Sequence, residues 1–198
     1  MGLKTPVNNP TRCSWASEKE PLLVQYHDEE WGVIERDDEK LLAKLILDGA
    51  QAGLSWVTIL RKRDGYLKAF RRFDPEKVAR FGKRDIERLM KNEGIVRNRM
   101  KIESAIGNAR AYLEMKDAGK SFSEFIWQFT GGRTKQNRFK AWKEIPASTK
   151  ESEALSKALK SKGFTFVGPT IVYAFMQAIG MVNDHTIDCF RHNECSRR

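Results

Sequence analysis

The segment NDHTIDC, residues 183–189, contains a histidine and a cysteine that could ligate a soft metal ion, His185 and Cys189. On a helix, two residues at this spacing project from the same face, one turn apart. His192 and Cys195 follow, but ten residues of helix span about 15 Å, whereas zinc ligands all lie about 2.0–2.3 Å from the ion. One helix can therefore supply two of four ligands, and the others must come from elsewhere in the chain.

The chain offers few candidates for the remaining ligands. It has three histidines and three cysteines, and only Cys13 and His27 lie outside the C-terminal segment. We therefore predict a closed two-Cys, two-His set of Cys13, His27, His185 and Cys189, which is typical of a structural Zn²⁺ site. By loop-closure reasoning, joining the two ends of the chain contributes on the order of 4–5 kcal/mol. The alternative is that His185 and Cys189 are ordinary packing residues.

A second unusual feature is a carboxylate on an apolar helix face. Leu41, Leu45, Asp48 and Ala52 are spaced four, three and four residues apart, which places them on one face of a helix. An ionised carboxylate buried without partners is costly. Asp48 must therefore either meet donors inside the protein, the usual outcome for a lone Asp, or face a pocket where a ligand supplies them.

Aromatic residues accompany both features. Trp56 follows the helix that carries Asp48, and Trp15 and Tyr26 flank the predicted metal ligands Cys13 and His27. A carboxylate among aromatic rings suits a cationic base extruded from nucleic acid, because the rings stack on the base and the carboxylate accepts its N–H groups.

Helical periodicity dominates the elements that must position these residues. We predict an all-α protein of about eight or nine helices, with no hairpin of alternating apolar residues and no internal repeat. Gly94 is a candidate left-handed C-cap for the helix over 85–94, and a short final helix is expected from Asp184. Residues 130–143 are polar and basic and are predicted to form a surface loop. The predicted helices span 37–53, 55–73, 73–81, 85–94, 97–119, 121–129, 148–163, 168–180 and 184–190.

Charge narrows the class of partner. The chain has 36 Lys and Arg against 26 Asp and Glu, a net charge of +10, which favours nucleic acid first and an anionic membrane second. No apolar run approaches the roughly 20 residues that a membrane-spanning helix needs, and no strongly basic amphipathic helix stands out. With three cysteines and no export signal, we expect a cytoplasmic protein.

The chain resembles the DNA-3-methyladenine glycosylase I family over residues 12 to about 190. The segments that carry the resemblance are RCSW, YHDEEWG, DGAQAGLSW, LMKNEGIVRNRMKI, IGNARAY and SKALKSKGFTFVGPTIVYAFMQAIGMVNDH. The resemblance implies an all-α helix-hairpin-helix glycosylase fold with a structural zinc that joins the N- and C-terminal segments. We expect one domain over 12–191, built as two helical subdomains around a cleft, with tails at 1–11 and 192–198.

The resemblance also implies roles for individual residues. Asp48 and Tyr26 are the expected catalytic side chains. The base-binding pocket maps onto Trp15, Tyr26, Asp48 and Trp56, and the zinc ligands onto the same four residues that spacing suggests. A loop that probes the DNA maps onto Gln51, Gly53 and Leu54. The hairpin spans residues 93–98, and we expect DNA contacts from Gly94, Ile95, Val96, Arg97 and Arg99.

The function implied is that of a monomeric DNA repair enzyme. It would bind double-stranded DNA that contains alkylated bases, flip the damaged nucleotide and release free 3-methyladenine, leaving an abasic site. Two departures affect substrate preference: the family's pocket acid is typically a glutamate where this chain has Asp48, and a tyrosine near the pocket is replaced by Leu23. Alternatives are a zinc-stabilised DNA-binding protein without catalysis and a glycosylase for another lesion. A metalloenzyme is disfavoured, because four protein ligands fill the zinc.

Overall fold

Ten α-helices make up most of the structure, a computed structural model that describes residues 10–196. Two strands of two residues each, β1 (Lys135–Gln136) and β2 (Val182–Asn183), pair in parallel. The prediction of an all-α fold is confirmed. The helices are α1 Pro21–Glu29, α2 Asp38–Gln51, α3 Trp56–Ala69, α4 Pro75–Ala79, α5 Lys83–Met90, α6 Arg99–Asp117, α7 Phe122–Trp127, α8 Lys150–Ser161, α9 Pro169–Ala178 and α10 Phe190–Cys195.

Helix α2 packs its apolar face into the centre of the molecule and ends at the cavity described below. Asp37 caps its N-terminus by accepting a hydrogen bond from the Lys40 amide. Leu41 and Leu45 are fully buried, and burying a leucine side chain contributes roughly 1.5–3 kcal/mol. At the other end, Lys101 Nζ on α6 donates to the carbonyls of Ala50 (2.9 Å) and Ala52 (2.6 Å). This contact satisfies the last carbonyls of α2 and holds its C-terminus against α6.

The nearly apolar helix α9 lies at the centre, as its composition predicts. Val172, Phe175 and Met176 are fully buried, and α9 packs against α2 and α8. A helix that is apolar on all sides is stable only when neighbouring helices surround it. No helix among residues 10–196 is long and apolar enough to cross a membrane.

Two glycines, Gly65 on α3 and Gly94 in the hairpin, allow their backbones to pack closely against each other. A Cβ atom on Gly65 would lie only 2.1 Å from the Gly94 carbonyl oxygen, so α3 approaches the turn at 91–98 backbone to backbone. The prediction of a left-handed C-cap at Gly94 is wrong, because α5 ends at Met90 and Gly94 does not have a positive φ. The glycine at position 94 is therefore explained by its close packing against Gly65, and not by the end of a helix.

The C-terminal segment also differs from the prediction. Residues 184–189 form bends and a turn, and the last helix, α10, begins only at Phe190. Strand β2 directly precedes these bends. The chain therefore enters the segment from an extended strand paired with β1, and no helix begins at Asp184. The predicted C-terminal tail from residue 192 begins inside α10, where His192 and Cys195 are buried, so packed structure extends through Cys195. Residues 1–9 of the predicted N-terminal tail lie outside the described residues, as do residues 197–198.

Candidate active site and metal centre

A cavity of about 310 Å³ opens between α1, α2, α3 and α9. This volume is at the lower end of the range for small-molecule sites. Its walls combine aromatic rings with a few polar groups: Trp15, Leu23, Tyr26, Trp31, Asp48, Gln51, Ser55, Trp56, Val57, Trp142, Ala174 and Gln177. The four residues predicted to bind the base, Trp15, Tyr26, Asp48 and Trp56, therefore line one cavity although they come from the segment before α1, from α1, from α2 and from α3.

The rings in the cavity wall contact one another at angles, without parallel stacking. The Tyr26 and Trp56 centroids are 5.2 Å apart at 48°, and those of Trp15 and Tyr26 are 6.3 Å apart at 52°. Trp15 meets Trp31 edge to face at 5.1 Å. Because these rings do not stack on one another in parallel, their π-faces are not paired with each other, and a flat aromatic ligand could stack on them.

Asp48 meets a partner inside the protein and also faces the cavity. Lys44, one turn earlier on α2, donates from Nζ to Asp48 Oδ1 at 2.8 Å. The same ammonium lies 3.9 Å from the Trp56 ring centroid and 5.5 Å from that of Tyr26. The other carboxylate oxygen, Asp48 Oδ2, is buried and has no hydrogen-bond partner among the described residues. One oxygen is thus fixed by Lys44 and the other is free to accept from a ligand.

Burial sets the protonation behaviour of this pair. Removal from water raises the pKa of the Asp48 carboxyl, and the nearby Lys44 charge and hydrogen bond partly offset that rise. The pKa of Lys44 is lowered, again chiefly by burial and against the attraction of Asp48. The pKa of the buried Tyr26 hydroxyl is raised, first by desolvation and then by the Asp48 charge, so Tyr26 is a neutral phenol at pH 7.

Two further polar atoms in the cavity wall are buried without partners. The indole N–H groups of Trp15 and Trp56 have no acceptor among residues 10–196. Buried polar groups are normally hydrogen-bonded, and an unpaired one costs about 1–3 kcal/mol. Trp15, Trp56 and Asp48 all line the cavity, so two unpaired donors and one unpaired acceptor belong to residues of its wall.

A second cluster lies behind the cavity wall. Cys13, His27, His185 and Cys189 are all buried, and their potential ligand atoms lie within 4.8 Å of one another. The prediction that these four residues come together is confirmed, and the group could hold a metal ion. Because Cys13 and His27 lie near one end of the chain and His185 and Cys189 near the other, a bound ion would join the two ends.

The distances within this cluster fit tetrahedral coordination. Cys189 Sγ lies 3.4 Å from His27 Nε2 and 3.5 Å from His185 Nδ1, and Cys13 Sγ lies 3.6 Å from His185 Nδ1. In a tetrahedral zinc site, metal–sulfur and metal–nitrogen bonds of about 2.3 and 2.0–2.1 Å place neighbouring S and N atoms about 3.5 Å apart. No large movement is needed for all four atoms to reach one ion.

Hydrogen bonds orient both imidazoles of the cluster. His27 Nδ1 lies 2.7 Å from Asp28 Oδ1, and Asp28 is held in turn by Arg12. His185 Nε2 lies 3.1 Å from the Trp31 carbonyl oxygen. The nitrogens left for a metal are His27 Nε2 and His185 Nδ1, and a second-sphere acceptor on the opposite ring nitrogen is the usual arrangement in metal sites. Trp31 also lines the cavity, so the two sites share a wall.

The protonation preferences of Cys189 and His185 suit metal binding. The pKa of the Cys189 thiol is lowered because its sulfur accepts hydrogen bonds from Cys13 and from both imidazoles. Burial lowers the pKa of His185, which favours the neutral imidazole that ligates metals.

The predicted DNA-probing residues lie at the C-terminal end of α2. Gln51 lines the cavity and is hydrogen-bonded to the Leu54 carbonyl. Gly53 has a φ of +76°, a left-handed conformation that strains other residues, and Leu54 is 37% exposed. The turn therefore presents an apolar side chain to solvent beside the cavity.

The hairpin amides are less available than the sequence suggests. The Gly94 amide donates to Asn92 Oδ1, the Ile95 amide to the Asn92 carbonyl, and the Val96 amide to the Tyr66 hydroxyl. The two predicted arginines are also paired, Arg97 with Glu93 and Arg99 with Glu87. The turn lies where it was expected. A phosphate that binds there would have to displace the internal hydrogen-bond and ion-pair partners of these amides and arginines.

Sequence reasoning missed three residues of the cavity region: Trp31, Lys44 and Trp142. Lys44 carried a usable signal, because a Lys four residues before an Asp on a helix can pair with it. Trp31 and Trp142 carried none, since the segments that bring them to the cavity pack only in the folded chain. Trp142 lies in the stretch 130–143, which was predicted as a plain surface loop.

An all-helical, basic chain with an aromatic cavity and a buried acceptor has the features expected of a DNA glycosylase of the helix-hairpin-helix fold, the class that the chain resembles in sequence. Comparison with known proteins specifies the family: a family model described as methyladenine glycosylase matches residues 15–192. The chain therefore belongs to the methyladenine glycosylase family.

Individual relatives agree with this assignment. The chain is 52% identical over 178 residues to DNA-3-methyladenine glycosylase 1 of Escherichia coli (strain K12), covering 90% of this chain and 95% of the relative. A crystal structure of 3-methyladenine DNA glycosylase I superposes with a TM-score of 0.89 at 50% identity, covering 91% of this chain and 98% of the other. A structure of such an enzyme in complex with 3-methyladenine superposes with a TM-score of 0.86 at 37% identity, covering 90% and 96%.

Proposed function

We propose that this protein excises 3-methyladenine from double-stranded DNA by hydrolysing the N-glycosidic bond. Water adds at C1′ of the deoxyribose, the bond from C1′ to the base breaks, and its electron pair leaves with the base. The water loses one proton to solvent, and an abasic site remains. Methylation at N3 makes the base cationic before cleavage, so it leaves as a neutral molecule and requires little acid catalysis.

The observation that carries this proposal is the free oxygen of Asp48 in the aromatic cavity. A cationic base placed there gains a charge-assisted hydrogen bond to Oδ2 and stacks on Tyr26 and Trp56. Neutral adenine lacks the charge and gains less from both contacts. Selection of the cation is therefore the main catalytic contribution of Asp48 and Tyr26, with Trp15 and Trp56 completing the pocket.

The proposed site of this chain differs from the family pattern at two positions. Asp48 replaces a longer glutamate, and Leu23 replaces a larger tyrosine. Asp48 reaches less far than a glutamate, and Lys44 holds one of its oxygens, Oδ1, which leaves Oδ2 without an internal partner. Leu23 contributes an apolar wall without a hydroxyl. Both features are compatible with a planar methylated purine, and we propose 3-methyladenine as the preferred lesion.

Gln51, Gly53 and Leu54 are the proposed contacts to the gap that the flipped nucleotide leaves. Leu54 is exposed at a turn next to the cavity, as an intercalating side chain must be. Residues 93–98 are proposed to contact the DNA backbone through Gly94, Ile95, Val96, Arg97 and Arg99, after exchange of their internal partners for phosphate. The cavity is complete within one chain, so the enzyme is proposed to act as a monomer.

The metal is proposed to be Zn²⁺, held by Cys13, His27, His185 and Cys189. Two thiolates and two imidazoles favour zinc over magnesium or calcium. With four protein ligands no position is left for water, so the ion supplies structural stability and no step of the reaction.

The proposal is tested by incubating the protein with DNA treated with a methylating agent and separating the released bases by chromatography. Release of 3-methyladenine supports it. Release of a different base would assign another lesion to the cavity. Binding of the DNA without any base release would instead favour a DNA-binding protein of the same fold.

A further inference from the structure

We propose that the segment from Thr134 to Lys143, which we call the basic loop, is a second DNA-contacting element whose Trp142 forms the outer aromatic wall of the base cavity. The inference rests on the proposed function, because it assigns a further contact to the same flipped nucleotide. Trp142 lines the cavity together with Asp48. Its ring centroid lies 6.0 Å from that of Trp15 and 6.2 Å from that of Trp31.

The exposure of Trp142 places it at the mouth of the cavity. It is 40% exposed, whereas Trp31 on the inner side is 5% exposed. A tryptophan that reaches both the cavity and solvent costs hydrophobic free energy unless something covers it. A nucleotide that enters the cavity passes this ring, and base–aromatic stacking is a strong and sequence-tolerant contact.

Contacts with the metal-bearing segment hold the basic loop in place. Its strand β1 pairs with β2, and Asn137 Nδ2 donates to Asp184 Oδ1 at 2.7 Å. The Ile187 amide donates to the Phe139 carbonyl at 3.0 Å. Asp184 and Ile187 flank His185, so the same segment supplies metal ligands and positions Trp142.

Charge on the basic loop suits contact with phosphate. Arg138, Lys140 and Lys143 are exposed and form no ion pair with any residue between 10 and 196, whereas Lys135 is paired with Glu151. Unpaired cations next to a cavity-lining tryptophan can neutralise the phosphates that flank a flipped nucleotide. In this arrangement Trp142 contacts the base and the three cations hold its backbone.

The first test measures binding of free 3-methyladenine by calorimetry. We expect Trp142→Ala to weaken binding about ten-fold, the order of magnitude for loss of one stacking contact, and Trp142→Phe to retain most of the affinity. Met100→Ala, which removes another exposed apolar side chain outside the cavity, serves as the control and should bind normally. Equal affinity of wild type and Trp142→Ala would overturn the role of Trp142.

The second test measures how binding to undamaged duplex DNA depends on salt. Removing Arg138, Lys140 and Lys143 together, each to Ala, is expected to reduce the slope of log K against log salt by about two to three, close to one per phosphate contact. Replacing Lys157 and Lys160 on α8 and Lys162 just after its end, each by Ala, removes the same charge elsewhere and is the matched control. An unchanged slope in the loop variant, or an equal fall in the control, would remove the basic loop from the DNA interface.

The wild-type protein separates failure of this inference from failure of the proposed function. If the wild type neither binds 3-methyladenine nor releases it from DNA, the proposed function fails. If the wild type does both and the loop variants behave like it, only the basic loop proposal fails. Metal content and thermal stability are measured for each variant. A variant that loses binding together with metal or thermal stability has misfolded, whereas one that loses binding alone has lost a contact.

Discussion

Lys44 Nζ lies 2.8 Å from Asp48 Oδ1, while Asp48 Oδ2 is buried without a partner among the described residues. The two side chains share one face of α2 because they are four residues apart. The ammonium partly offsets the effect of burial on the carboxyl group and also lies 3.9 Å from the Trp56 ring centroid. The four-residue helix spacing therefore gives the proposed pocket acid a cationic partner for one of its two oxygens.

Asp48→Asn should leave the fold intact and reduce base release. The amide keeps the shape of the side chain but loses the negative charge, and a hydrogen bond to a charged group is worth about 1.5–3 kcal/mol, or roughly 10- to 150-fold in rate. Single-turnover excision from methylated DNA measures the effect. Asp64→Asn, an exposed position on α3, is the control. Unchanged excision by Asp48→Asn would exclude the pocket role.

Lys44→Met should shift the acid limb of the pH profile upward. Burial raises the pKa of Asp48 and Lys44 lowers it, so removal of Lys44 raises it further. Because the ionised carboxylate is the active form, excision is lost as pH falls through this pKa, and the loss then begins at higher pH. The pH dependence of single-turnover excision measures the shift.

The control for that experiment is Lys40→Met, one turn earlier on the same helix. The Lys40 side chain is 71% exposed, and among residues 10–196 it pairs only with Glu35, at 3.7 Å. Its removal should leave the acid limb in place. An identical profile for Lys44→Met and wild type would show that Asp48 titrates independently of Lys44.

Cys189→Ser should abolish stoichiometric metal binding and lower thermal stability. Loss of a tether worth on the order of 4–5 kcal/mol corresponds to a fall in Tm of about 8–20 °C for a chain of this size. Elemental analysis and thermal unfolding measure the two effects. Cys195→Ser is the matched control, since Cys195 is also buried but is not in the metal-capable group. Full metal content in Cys189→Ser would contradict the ligand assignment.

Asp28→Ala should weaken metal binding without removing a ligand. Asp28 accepts from His27 Nδ1 at 2.7 Å, and loss of such a second-sphere partner typically costs 10- to 100-fold in metal affinity. Competition with a chelator measures the affinity. The neighbouring Glu29→Gln serves as a control, and equal affinities of the two variants would argue against an orienting role for Asp28.

Gly65→Ala should destabilise the protein and weaken its binding to DNA. The new Cβ atom would meet the Gly94 carbonyl oxygen at 2.1 Å, so the hairpin backbone must move. Gly107→Ala on α6 is the matched control, because nothing lies within 4 Å of its Cβ and a helical Gly→Ala change gains up to about 1 kcal/mol. Gly65→Ala should therefore lower both the melting temperature and the affinity for duplex DNA, whereas Gly107→Ala should keep or raise the melting temperature. Normal DNA binding by Gly65→Ala would separate the hairpin from the interface.

The amino-acid sequence alone determined the helical class and the identity of two functional clusters. Helical periodicity placed Asp48 on the buried face of α2, since a helix fixes which side chains share a face. The metal-capable group followed from the scarcity of cysteine and histidine, because only Cys13 and His27 were left to complete the set with His185 and Cys189. These conclusions depend on local geometry and on composition, which the sequence contains directly.

The tertiary structure alone decided what each of these groups contacts. It gave Asp48 both an internal cation and a free oxygen, occupied the hairpin amides with Asn92 and Tyr66, and brought Trp142 to the cavity through the pairing of β1 with β2. It also replaced the expected helix around His185 with bends and a turn. Such contacts join segments that are distant in sequence, and they depend on how whole elements pack. The periodicity of a single helix shows which side chains share a face, but it does not show which other elements pack against that face.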